Sequence, residues 1–139
     1  MPAQENEKLM RAAMEAMARG EMRLFGEAMA DDVVWTFPSG SGVWSGSVHG
    51  RENVRKKLLA PLFAQFEGVY TNTPVRITGA GEIVIVECSG KVKTRKGDRY
   101  DNSYCYVCSF ENGKIKQLTE YMDTALAERV LAPPGDIFS

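Results

Sequence analysis

The sequence predicts an α+β domain in which a curved antiparallel sheet wraps around N-terminal helices and forms a cone with an internal pocket. Three observations predict it. Near the N-terminus Leu9, Ala13 and Met17 recur every four residues with Met10 and Met14 beside them, which gives a helix one apolar face. From Val69 onward, alternating runs follow one another, separated by glycine-rich or charged turns. Finally, Asn112-Gly113 joins two such runs; both residues tolerate positive φ and suit a type I′ hairpin turn.

At 139 residues the chain is long enough for one core, and a single domain over 1–139 is expected. Apolar residues at 44% and charged residues at 25% are ordinary for a globular protein. The formal net charge of -1 argues against a general nucleic-acid binder, which carries a basic excess. No apolar run approaches the roughly 18 residues that span a bilayer. The opening MPAQENEKLMRAAM is acidic-polar and then amphipathic, unlike a secretory signal, so a cytoplasmic location is expected. Cys88, Cys105 and Cys108 are an odd number without framework spacing, and read as free thiols of a reducing compartment. Cys105 and Cys108 form a C-x-x-C inside a strand, where positions three apart face opposite ways and cannot share a bond or a metal. With one histidine and no ligand-spaced carboxylates, neither a metal nor a cofactor is expected.

The first helix is expected over 5–19, ended by Gly20, with a shorter helix from Glu21 to Met29 burying Leu24, Phe25 and Ala28. Its methionine stripe is core, or a pliable pocket wall. Asp31-Asp32 reads as a turn, and Val33 to Phe37 as a strand halted by Pro38. Ser39 to Gly50 is rich in glycine and serine, contains Trp44, and reads as a flap beside the cavity or a plain surface loop. His49, before a helix, reads as a turn or capping residue rather than a catalyst. A helix follows to about Phe66, with Val54, Leu58, Leu59, Leu62 and Phe63 as its buried stripe, and Pro61 is expected to kink it or break it in two. Arg55, Lys56 and Lys57 face solvent.

The remaining chain reads as strands. Val69 to Thr78 is interrupted by Pro74, as at an edge or a bulge. Gly79 to Gly81 is a turn, Glu82 to Val92 a central strand, and Lys93 to Asp98 a charged turn. The Asn112-Gly113 hairpin comes next. Asp123 or Thr124 caps a last short helix that Pro133-Pro134 ends.

Strand parity gives the candidate site. In the last strand Leu118, Glu120 and Met122 share a face, so a carboxylate lies between two apolar side chains. Burying it ionised and unpaired costs several kcal/mol, or it takes up a proton. In the preceding strand Asn102, Tyr104, Tyr106, Cys108 and Phe110 share one face and line the cavity with Glu120. Trp35 and Phe37 supply apolar walls, and Tyr104 and Asn102 are candidate donors to an oxyanion, Tyr104 and Tyr106 being equally readable as core. Glu87 shares a face with Ile83 and Ile85, and either face of that strand can be inner; turned inward, it would be a second pocket carboxylate.

The run Y-x-N-x-Y…F-x-N-G-K-I-x-x-x-x-E-Y-x-D from Tyr100 to Asp123, and the helix opening H-G-R-E-N from His49 to Asn53, resemble the SnoaL-like branch of the nuclear-transport-factor-like superfamily, which includes ketosteroid isomerase, limonene epoxide hydrolase and polyketide cyclases. Within it, Val84 to Gly90 and Gly113 to Met122 resemble the phenazine-biosynthesis A/B-type proteins. There a glutamate corresponding to Glu120 serves as acid–base in condensing a small aminated ring ketone. That family's helix histidine has no counterpart here; Lys57 stands near it. Of the epoxide-hydrolase Asp-Arg-Asp set, the last Asp corresponds to Glu120, while Glu87 and Ser89 replace the others. The resemblance implies a cofactor-free acid–base enzyme of isomerase or cyclase type, or a binding module of the same fold. A small-molecule ligand and a homodimer through the uncovered sheet face are the expected partners, without nucleic acid or membrane.

Overall fold

The computed structural model describes residues 2–138. Helix α1 (Pro2–Ala18) and α2 (Arg23–Glu27) lead into β1 (Met29–Phe37) and β2 (Gly46–His49). A continuous helical segment follows: α3 (Arg51–Asn53), a π-helical turn (Val54–Leu59) and α4 (Ala60–Phe63). Then come β3 (Phe66–Ala80), β4 (Ile83–Thr94), β5 (Ser103–Glu111), β6 (Lys114–Met122) and α5 (Thr124–Val130). The six strands form one curved, unclosed sheet in the order β2-β1-β6-β5-β4-β3. Met10, Met14 and Met17 of α1 are fully buried, as the four-residue stripe requires. Among the described residues no helix is long and apolar enough to cross a membrane.

The α+β class and the enclosing sheet are as the sequence predicts, but the sheet is not wholly antiparallel. β1 and β6 pair in parallel, with Trp35 beside Leu118, and this brings the first strand of the chain to the last. The Asp31-Asp32 turn is instead part of β1, which begins at Met29. The Ser39–Gly50 segment is only partly a loop: Gly46–His49 pairs with β1, and Val48, opposite Trp35, is buried. The turn after β3 falls at Gly81-Glu82, two residues later than the glycine cluster suggests. Pro74 lies both on an edge strand and at a register shift, between Pro74 and Arg76.

Pro61 does not break its helix. It has no N–H, and in a regular α-helix its ring strikes the carbonyl one turn back. A widened turn precedes it, in which the Ala60 N–H reaches the Arg55 carbonyl five residues away. The Asn112-Gly113 turn has φ of 53° and 77°, the doubly positive pair of a type I′ turn. His49 is exposed, and its carbonyl accepts from Asn53 Nδ2 at 2.9 Å.

Candidate active site

Strand alternation turns Leu118 and Glu120 of β6 inward beside Cys108 and Tyr106 of β5. Glu120 is 7% exposed, and Trp35 Nε1 donates to its Oε1 at 3.0 Å. This indole is its one hydrogen-bond partner among the described residues, and no cation pairs with it. Burial pushes the Glu120 carboxyl up to about 8, against the pull of the Trp35 N–H, which favours the ionised form. At neutral pH the group is mostly a neutral acid.

Glu120 lines an inner slot. Its lining includes Trp35, Phe37 and Trp44, the four tyrosines Tyr70, Tyr100, Tyr104 and Tyr106, and Met17, Met22, Phe25, Leu58, Leu59, Leu62 and Phe63. Met122 and Leu131 complete the lining. The slot is slender: the room for the centre of a water-sized sphere is about 40 Å³. An outer vestibule shares Phe37, Trp44, Glu120 and Met122 with it and adds Pro38, Ser39, Tyr121 and Thr124; the same measure there is about 220 Å³. Glu120 therefore lines both a narrow apolar slot and a wider hollow beside it.

The phenols are held by two buried amides. Asn72 Nδ2 donates to the hydroxyls of Tyr70 and Tyr106, both at 3.2 Å, and Asn102 Nδ2 donates to that of Tyr100 at 3.0 Å. Gly90 admits two of the rings: a methyl there would lie 2.7 Å from the Tyr70 hydroxyl and 2.9 Å from Tyr104 Cε2. Burial raises all four hydroxyls, Tyr100 to about 12, so they are neutral donors and not bases.

Of the residues singled out from the sequence, Trp35, Phe37, Tyr104, Tyr106, Glu120 and Met122 line the slot. Leu118 is fully buried on the same face but does not line it. Asn102 is not an oxyanion donor. Its amide is committed to the Tyr100 hydroxyl and to both backbone groups of Asp123, donating to the carbonyl at 3.2 Å and accepting from the N–H at 3.1 Å. Glu87 is not a second pocket carboxylate. It lies on the outer face opposite Arg76 of β3, whose guanidinium makes a two-point ion pair with it and holds its carboxyl below the usual range. Lys57 is exposed and away from the slot.

Sequence reasoning did not single out Tyr70, Asn72 and Tyr100, and placed Trp44 only within a segment read as a flap beside the cavity or a surface loop. Trp44 and Val48 carried a signal: two large apolar residues four apart in a serine- and glycine-rich segment mark packing, and both are buried. Asn72 carried none, because its burial depends on a register that only the folded sheet reveals. Among the described residues no three His, Cys, Asp or Glu side chains converge as metal ligands.

Comparison with known proteins follows the same lines. The profile of the family described as SnoaL-like domain matches residues 10–118. A search of curated proteins finds no match. Bal32a, from a soil-derived mobile gene cassette, is similar in structure: TM-score 0.79 at 21% identity, covering 95% of this chain and 100% of that one. An NTF2-like protein of unknown function from Burkholderia pseudomallei superposes with TM-score 0.75 at 25% identity, covering 92% and 98%. TerC, co-crystallized with polyporic acid, has TM-score 0.75 at 19% identity, covering 91% and 97%. These likenesses show an NTF2-like fold.

Proposed function

The chain belongs to the SnoaL-like domain family, and from that premise we propose that it is a small-molecule pocket protein that performs cofactor-free acid–base chemistry on a small apolar carbonyl or cyclic compound. The observation that carries this reading is the buried Glu120 carboxyl, raised to about 8 at the edge of an apolar slot. A general acid or base works best when its proton affinity lies near the working pH. As a carboxylate, Glu120 takes the proton from the carbon next to the carbonyl. The C–H electron pair becomes a C–C π bond, and the carbonyl π pair moves onto oxygen. The proton held on Glu120 then returns, to the same carbon or to another, which gives exchange or isomerisation. A neutral hydrogen-bond donor at the oxyanion adds an effect worth about 3–4 kcal/mol in a dry site.

That TerC, of similar fold, was co-crystallized with polyporic acid, an organic compound, supports the small-molecule reading. The second reading is a binding or scaffold module of the same fold, favoured by the slenderness of the slot. Under both readings the partner is a second copy, met through the outer sheet face where Ile83 and Tyr121 are exposed.

The test is deuterium uptake from D2O into the carbon beside the carbonyl of 1-indanone, followed by mass spectrometry. The wild type accelerates exchange, more strongly as pH rises through 8, and Glu120→Gln lowers the rate by about 10²–10⁴-fold. Equal exchange by both proteins rejects Glu120 as the base. Binding of the ketone without accelerated exchange selects the binding module.

A further inference from the structure

We propose that the indole N–H of Trp44 is the ligand-binding donor of this site, hydrogen-bonding the oxygen of a neutral, otherwise apolar ring ketone in the cavity that Trp44 and Glu120 line together. This rests on the reading of the cavity as a small-molecule pocket. Trp44 is 4% exposed, and its Nε1 has no acceptor among the described residues. A buried donor without an acceptor is costly. The other tryptophan of the chain, Trp35, spends its N–H on Glu120.

Position separates Trp44 from the other donors. Trp44 and Glu120 line both the inner slot and the outer vestibule, whereas Tyr104 lines the slot alone. The Trp44 ring is held in place: Phe37 meets it edge-on at 5.7 Å between ring centres, and Phe138 packs on Phe37 at 5.8 Å. Beside it, the Val43 N–H donates to Glu128 Oε1 at 3.1 Å, which ties the loop to α5. A rigid donor next to a carboxyl that gives or takes a proton suits a carbonyl whose neighbouring carbon faces Glu120, with the apolar ring in the slot.

The experiment uses the full chain, labelled with ¹⁵N, and the matched probes 1-indanone and indane. The chain has two tryptophans, so two indole signals appear, and Trp44→Phe identifies which belongs to Trp44. The expected result is that 1-indanone moves the Trp44 indole proton downfield while indane does not. Trp44→Phe then weakens 1-indanone binding about tenfold and changes indane binding less than about twofold. If 1-indanone binds while the Trp44 signal stays still, or if the variant weakens both probes alike, the donor role is overturned and the pocket reading stands. If neither probe binds at millimolar concentration, the pocket reading for this ligand class fails, and the donor assignment with it. Where Trp44→Phe does not fold, Trp35→Phe identifies the signals instead, and the wild-type spectra then decide the matter.

Discussion

Glu120 is a carboxyl whose surroundings offer one indole N–H and otherwise mainly rings and apolar side chains. Its proton is therefore linked to folding. In the unfolded chain it leaves near 4.5, in the folded protein near 8. Between those values the folded state holds a proton that the unfolded state has lost, so stability falls as pH rises through this window and is level above it. At about 1.36 kcal/mol for each pH unit between the two values, the loss is on the order of 5 kcal/mol. Glu120→Gln keeps an acceptor for Trp35 and cannot ionise. In denaturant unfolding the variant is expected to match the wild type near pH 5 and to exceed it by several kcal/mol at pH 9. A difference that does not change with pH contradicts this. The inward direction of Glu120 was legible from parity alone, because β6 alternates without a break from Gln117 to Met122. Glu87 was not. Its partner Arg76 is fixed by the Gly81-Glu82 turn, and a turn placed at Gly79–Gly81 gives a different register.

At the scale of elements, the end of β6 is joined to α5 by two devices of different strength. Asp123 caps α5, its Oδ1 accepting from the Leu126 N–H at 3.1 Å in an exposed position. Asn102, 1% exposed, holds both backbone groups of Asp123 and the Tyr100 hydroxyl. Removing the cap by Asp123→Ala is expected to cost about 1 kcal/mol. Asn102→Ala leaves several polar groups without partners, and is expected to cost about 3 kcal/mol by the same urea unfolding measurement. Equal costs would show that the amide is not the clip described here. The cap was readable in the sequence because its bond is local. The clip was not, since it joins residues 21 apart and presents an asparagine like any other on the inner face. For the same reason the strand Gly46–His49 looked like a loop: its ladder partner is β1, and serine and glycine dominate its neighbourhood.

At the scale of the whole molecule, the sheet encloses helices and the slot on its inner face and leaves its other face outward. Val75, Ile83 and Tyr121 are exposed there at 74%, 41% and 52%. Sedimentation equilibrium is expected to give twice the chain mass, and Ile83→Lys with Tyr121→Glu to give the chain mass. A monomer at all concentrations contradicts pairing through this face. The parallel contact of β1 with β6 gives the cavity its wall, because it carries Trp35 to Glu120 from 85 residues away. No local pattern announces a pairing between the two ends of a chain. The account depends on what that contact does to one carboxyl. The direct measurement is the titration of the Glu120 side-chain ¹³C signal, assigned with Glu120→Gln. A midpoint near 8 is predicted. A midpoint near 4.5, the ordinary value for a glutamate, would mean that the carboxyl is solvated and that the proposed chemistry has no acid or base in this site.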